Sequence, residues 1–385
     1  MTGCCASTRA LTCGSEPAGS VMGALHRRLA RLQVHVRSAL WAFVMLLPAA
    51  SSAHVVLEPI EIPATASRLA VKGPISAVAA AGDRIVGVGV RGHIVYSDDR
   101  GQTWVQARVP VSVDLVSVQF PTPMVGWATG HDGVVLKSID GAKTWTLVLD
   151  GRRAAQLMAD YYAAQQATGD ARMSAALAEA QRFVKENGAR PFLDVWFSGT
   201  DAGFIIGAWG VVLHTTDGGK TWTPWLHRVE NPAGAHLYAI RAVGSQLWIT
   251  GEQGLLLKMD SAGERFASSH APEGASLFGV LGKPDFVLAY GLLGRAVVSR
   301  DGGKTWEQPS GLGSSSLTGG TVLADGRVIL VDGRGGVWVS RDDGRSFAAW
   351  NAGALRPYTG VIDAGNNTLV LAGLGGVRAL SSATP

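Results

Sequence analysis

The sequence predicts an all-β chain: a seven-bladed β-propeller of four-stranded antiparallel blades, with a helical hairpin inserted between blades 2 and 3. Three observations predict it. An eight-residue box recurs along the chain, a glycine pair precedes each box at fixed distance, and the units repeat with a period near 41 residues. A repeat of that length holding about four short strands is the signature of propeller blades.

The box reads Ser97 to Trp104 (SDDRGQTW), then Ser138 to Trp145, Thr215 to Trp222, Ser299 to Trp306 and Ser340 to Phe347, with a worn copy at Met259 to Phe266. The glycine pairs are Gly89/Gly92, Gly130/Gly133, Gly207/Gly210, Gly251/Gly254 and Gly291/Gly294. In the sixth unit Asp332 replaces the first glycine before Gly335, and a seventh pair stands at Gly373/Gly376. The starts at 89, 130, 207, 251, 291, 332 and 373 are spaced 41, 77, 44, 40, 41 and 41 residues apart.

Each unit then decomposes into strands. In the second, Leu115 to Phe120 is a β-branched, apolar strand, and Pro121 to Pro123 turn it. Val125 to Thr129 is the second strand. Gly130-His131-Asp132-Gly133 makes a hairpin loop with glycines where positive φ is expected. Val134 to Lys137, the box turn and Trp145 to Leu149 complete the unit. The seventh unit lacks a box and a fourth strand. Val55 to Ile62 reads as a strand with Pro59 tolerated at an edge, and is expected to supply the outer strand of the seventh blade.

Ahead of the repeats, Arg27, Arg28, Arg31 and Arg37 precede the apolar run Ala39 to Leu47, followed by Pro48 and Ser51-Ser52-Ala53. That order is a secretory signal, too short to span a membrane. The leader is read as residues 1–53, with Met22 as the working start and cleavage after Ala53. Residues 54–385 form the single propeller domain, exported to a periplasmic or other extracytoplasmic space, with no transmembrane segment. The leader's five arginines against Glu16 account for the whole formal charge of +4. The remainder is about neutral, which argues against a nucleic-acid partner. Cys4, Cys5 and Cys13 also lie in the leader, so the exported domain has no disulfide and no thiolate ligand.

The box residues are read as hairpin fasteners: Asp99, Asp140, Asp217, Asp301 and Asp342 accept turn N–H groups, and Trp104, Trp145, Trp222, Trp306 and Phe347 pack between sheets. A feature found in nearly every blade is a poor candidate for a single active site. The chain contains no HExxH, CxxC, P-loop or GxSxG motif. No catalytic residue, metal site or cofactor is expected.

The boxes are those of the Asp-box, or bacterial neuraminidase repeat. Their spacing G-x-x-G-x-V-x-x-S-x-D-G-G-K-T-W resembles the photosystem II stability and assembly factor family of seven-bladed propellers, over roughly residues 70 to 381. The resemblance implies a non-enzymatic monomer that binds protein, an assembly or accessory factor for a membrane-embedded envelope complex. Two rivals stand beside it: a sialidase-like glycoside hydrolase or carbohydrate-binding propeller, and a receptor for a small ligand in the central channel. Sialidases require an Arg-Ile-Pro setting, two further arginines, a Tyr/Glu pair and an acidic Asp; no Arg-Ile-Pro occurs here, and Arg190-Pro191 is the nearest echo.

The 77-residue spacing marks the insertion. Ala154, Leu157, Met158, Tyr161 and Tyr162, then Met173, Ala176, Leu177, Ala180 and Phe183, recur at helical spacing. Asp170 is placed as an N-cap and Asn187-Gly188 as a stop, so a hairpin is expected over about 152–187. It should emerge beside the loops between second and third strands, opposite the boxes. Those loops vary between blades, so the candidate partner face is Arg91, His131, Asp132, Trp209, Glu252, Gln253 and Arg334, with Tyr161 and Tyr162 from the hairpin; the hairpin reads equally as a hydrophobic cover over the channel or one rim.

Overall fold

The computed structural model describes residues 57–165, 169–353 and 356–382. The leader, Met22 and the cleavage site after Ala53 lie outside the described residues. The described chain is built from seven antiparallel sheets, each a simple meander. They cover Ile75–Gln106, Leu115–Leu149, Phe192–Pro224, Leu237–Ser268, Leu277–Ser299, Leu317–Trp350 and Tyr358–Ser381. The first strands of successive sheets touch one another, and that of the seventh touches that of the first. Across that last contact Thr359 Oγ1 donates to the carbonyl of Ile75 at 2.6 Å.

Five sheets have four strands; the fifth and seventh have three. In the fifth, the expected fourth strand shrinks to one bridge, Val298 to Glu307, two residues before Pro309, which has no N–H to continue a ladder. The expected strand Val55 to Ile62 is a second correction. Pro59–Glu61 is a 3-10 turn, closed by reciprocal capping of Glu58 and Glu61, while Val55 and Val56 lie outside the described residues. The segment runs beside the link between the first two sheets: Ser112 N–H donates to Pro59 O at 2.8 Å and Ala64 N–H to Val109 O at 3.0 Å. Pro59 starts a helical turn more readily than it joins a sheet edge.

The glycine pair has a steric origin. A Cβ on Gly89 would lie 2.1 Å from the carbonyl oxygen of Pro74, and one on Gly92 (φ +70°) would lie 2.1 Å from that of Val111. The first glycine therefore clears the entry to its own sheet, and the second clears the link to the next. The same backbone bond recurs beside the first position: Val90 N–H to Pro74 O, His131 to Asp114, Ala208 to Pro191, Glu252 to His236. Where Asp332 replaces glycine, its carboxylate takes the N–H groups of Arg334 and Gly336 and the indole N–H of Trp338.

The boxes are turn fasteners. Asp217 accepts from Thr215 Oγ1 at 2.8 Å, Thr221 N at 2.9 Å and Thr221 Oγ1 at 2.6 Å, while Thr215 Oγ1 accepts from Gly219 N at 3.0 Å. Asp99, Asp140, Asp301 and Asp342 repeat this pattern. Cations of the preceding sheet grip the turns from the side. Lys137 Nζ lies over the Trp127 ring and donates to Gly218 O at 2.7 Å, and Lys258 Nζ lies over Trp248 and donates to Gly302 O at 2.8 Å. Arg84 and Arg300 reach Gly141 O and Asp343 O in the same way. Each of these carbonyls belongs to the third residue after the box serine or threonine, so consecutive sheets are coupled through their turns.

These bonds set an acid limit. The Thr103 hydroxyl and backbone hold Asp99 down to about 2, and the Thr221 hydroxyl and backbone hold Asp217 down to about 2. In the unfolded chain an aspartate titrates near ~3.9. A depressed folded pKa means the boxes contribute fully above about pH 4 and lose that contribution as pH falls toward about 2. The melting temperature should hold from neutrality to about pH 5 and fall below about pH 4. An Asp99→Asn/Asp217→Asn protein should start lower and fall less. A decline beginning near pH 6, unchanged in that variant, would place the acid-sensitive groups elsewhere.

Between the second and third sheets lie two helices, α1 (Gly151–Gln165) and α2 (Ala171–Lys185). Asp170 caps α2 by accepting from Arg172 N at 2.8 Å. The helices pack on each other, and their apolar faces join one cluster with the flanking sheets: Met158, Tyr162 and Phe183 are buried with Leu149, Phe192, Leu213 and Trp222.

Candidate protein-binding face

Arg91, Asp132, Trp209, Gln253 and Leu293 occupy the same loop position in the first five sheets. All five are left-handed, with φ between 53° and 58°. That conformation costs a non-glycine residue roughly 1–2 kcal/mol, and the neighbouring sheet compensates. The side chain just ahead of the next sheet takes the loop's N–H: Arg91 N to Asp114 Oδ1 at 2.8 Å, Trp209 N to His236 Nδ1 at 2.8 Å, Leu293 N to Ser316 Oγ at 3.3 Å. The backbone is pinned at both ends of the turn while the side chain stands in solvent. Trp209 is 50% exposed and Leu293 68%.

The expected face divides on inspection. Arg91, His131, Asp132, Trp209, Gln253 and Arg334 are exposed loop residues. Glu252 is engaged inward, accepting from His236 N at 2.8 Å and, more loosely, from the Tyr238 hydroxyl at 3.5 Å. Tyr161 is half-buried. Tyr162 is fully buried, its hydroxyl 3.1 Å from His227 Nδ1, and burial pushes its pKa well above the usual phenol value. Tyr162 therefore offers no surface to a partner. Helical spacing showed which residues share a face, but not that this face turns toward the sheets.

Three features escaped the candidate list. Leu293 and Leu374 (57% exposed) add apolar surface at the loops; their position in the repeat was readable, and only their apolar character was passed over. Arg190 was read as an echo of a catalytic motif. It is 1% exposed, pairs with Glu179 and Glu186 at 2.6 Å each, and lies over Phe183 at 4.9 Å and Trp209 at 5.9 Å. It ties α2 to the loop carrying Trp209.

A cavity of about 330 Å³ lies among the first strands. At the third position of those strands stand Ala77, Ser117, Ala239, Gly279, Gly319 and Gly360, and one charged residue, Asp194. Asp194 is buried and accepts from Ser117 Oγ, from Ile240 N at 2.8 Å and from Arg241 Nη1. Arg241 is the one arginine in the lining among the described residues, whereas a sialidase centre needs three. Burial raises the Tyr238 pKa, and the Glu252 charge adds to the effect, so this phenol is held away from the phenolate. Among the described residues no cluster of three or more His, Cys, Asp or Glu could hold a metal, and no helix is long and apolar enough to cross a membrane.

The family model described as photosynthesis system II assembly factor YCF48 matches residues 174–291, and the BNR/Asp-box repeat model matches residues 95–106 and 297–308. The photosystem II assembly lipoprotein Ycf48 of Synechococcus sp. (strain CC9902) is 27% identical over 165 residues, 42% of this chain. The chain spans about half the length of that curated relative, 49%. Among solved structures, YCF48 bound to D1 peptide is similar with a TM-score of 0.59 at 16% identity, over 82% of this chain and 95% of that one. YCF48 from Cyanidioschyzon merolae gives 0.55 at 15%, over 81% and 97%. The WD40 β-propeller domain of Doa1 gives 0.59 at 10%, over 83% and 95%. At these identities the structural likeness is one of fold. By its repeats and these matches, the chain is a BNR-repeat β-propeller similar to the photosystem II assembly factors of the Ycf48 kind.

Proposed function

We propose that this chain is an exported, monomeric, non-enzymatic propeller that binds a protein partner as an assembly or accessory factor of an envelope membrane complex. We read the seven sheets as the blades of a closed ring and the two helices as an insertion between blades 2 and 3. The observation that carries the reading is the loop face: pinned backbones hold exposed Trp209 and Leu293 in the same repeat position as Arg91 and Gln253. A pinned backbone leaves less to be ordered on binding, and Trp and Arg are the side chains that most often dominate protein interfaces. The YCF48 structure with a D1 peptide, similar in fold, supports a protein as the partner. The single channel arginine and the raised Tyr238 pKa weigh against the glycosidase alternative.

Cross-linking capture from the native envelope tests the proposal. A Trp209→Ala/Leu293→Ala protein should capture its partner at least about tenfold less well. Its melting temperature should fall only slightly: Leu293 is mostly exposed, where substitutions usually cost within ~0.5 kcal/mol, and Trp209 gives up its contacts with His236 and Arg190. Undiminished capture by that variant would move the partner site off the loop face, and turnover of fluorogenic glycosides by the wild type would revive the enzyme reading.

A further inference from the structure

The cavity at the first strands has two unlike walls and one exposed cation. Arg241 is held from behind: its Nη1 serves Asp194 and donates to Ile240 O at 2.7 Å. Its Nε and Nη2 make no hydrogen bond among the described residues. Those two N–H groups form one edge of the planar guanidinium, and the side chain is 39% exposed where it lines the cavity. Asp194, by contrast, has a side-chain exposure of 4% and its charge is taken up by a hydroxyl, a backbone N–H and the arginine. A solute in the cavity therefore meets the cation and not the carboxylate.

The same cavity is lined by the rings of Tyr238 and Phe278, edge to face with centroids 5.3 Å apart, and by Leu193. Across the cavity the hydroxyls of Thr318 and Thr359 are already committed to the carbonyls of Tyr358 and Ile75. Ser76, Thr321 and Tyr290 add hydroxyls to the lining, and the open edge of Arg241 is its one cationic donor among the described residues.

We propose that this cavity binds a small monocarboxylate with an apolar, ring-sized body. The carboxylate would take the Nε–Nη2 edge of Arg241 in a two-point contact, the geometry guanidinium groups favour. The body would lie on Tyr238 and Phe278. A volume of about 330 Å³ is at the small end of ligand sites, so the occupant is a solute. One guanidinium whose charge is balanced by Asp194 suits a monoanion better than a phosphate. Tyr238 also reaches Glu252 at the loop face, but the proposal does not depend on the protein-binding reading.

Calorimetric titration of the full exported chain with 3-phenylpropionate tests this, with 3-phenylpropanamide and inorganic phosphate as comparisons. The acid should bind one to one and raise the melting temperature. The amide should bind at least about tenfold more weakly, and phosphate should give no heat over the same range. Arg241→Gln should weaken the acid about tenfold and leave the amide unchanged, while Phe278→Ala should weaken both alike. Ile139→Ala, at a box residue 70% exposed, should change neither. If Arg241→Gln does not fold, the acid-to-amide ratio in the wild type and its loss of affinity in Phe278→Ala still decide. Equal binding of acid and amide, acid binding indifferent to Arg241→Gln, or no binding of the acid by the wild type would each overturn the proposal.

Discussion

Replacing Trp222 with alanine should cost about 3–5 kcal/mol of folding stability, the range for a large buried aromatic truncated in a core. The indole is 6% exposed. It meets Trp127 edge-on at 6.3 Å and Phe197 edge-on at 6.3 Å, and those two rings stack on each other at 4.1 Å and 6°. A Cβ on Gly219 would lie 2.6 Å from Trp127, so the box turn itself leans on this cluster and cannot easily collapse into a cavity. Trp306 holds the same box position but is only half-buried, and its indole N–H donates to Ser269 O at 3.2 Å. Trp306→Ala should cost clearly less. Denaturant melts of the two variants measure the difference. Equal costs would mean that the box fastens the sheet regardless of burial, and a Trp222→Ala protein within about 1 kcal/mol of wild type would show that the three-ring cluster contributes little.

That contrast shows what the sequence made legible. The box closes one turn within a few residues, and the glycine pair meets the backbone at similar short offsets in most units, so spacing alone exposes both. How deeply a box aromatic is buried depends on the neighbouring sheet, and no repeat reports that. The same limit explains Tyr162, whose partner His227 is 65 residues away. It also explains the cavity. Asp194 gathers Ser117 from the second sheet and Arg241 from the fourth, a meeting created only when the first strands come together. Val55 to Ile62 misled in the opposite sense, because apolar alternation was readable while the capping of Glu58 and Glu61 around Pro59 was not weighed.

Replacing residues 152–187 with a short Gly/Ser link should prevent cooperative folding, although the strands on both sides would be complete. Complete strands on both sides would suggest a deletion that folds and loses only its partner. The structure changes the expectation because the helices complete a core. Ala154, Met158, Tyr162, Ala180 and Phe183 are all fully buried, and they lie in one cluster with Phe192, Leu213 and Trp222. Removing them uncovers apolar residues of the second and third sheets such as Leu149, Phe192, Leu213 and Trp222, an area that water would penalise at roughly 25 cal/mol per Å². The deletion also strips Arg190 of Glu179 and Glu186. Were that guanidinium to stay covered, a buried charge left without its partner would typically cost about 3–5 kcal/mol, a large part of a domain's stability; otherwise it turns out to water and leaves the apolar surface beside it uncovered. The deleted protein should be recovered aggregated, or should bind hydrophobic dye and melt without a sharp transition. Arg190→Met in the intact chain separates the two contributions: it removes the charge and keeps the packing, so it should still melt cooperatively. A deletion that melts in one sharp transition near the wild-type temperature would show the helical pair to be an attachment laid over a finished core, and would return it to the list of surfaces available to a partner.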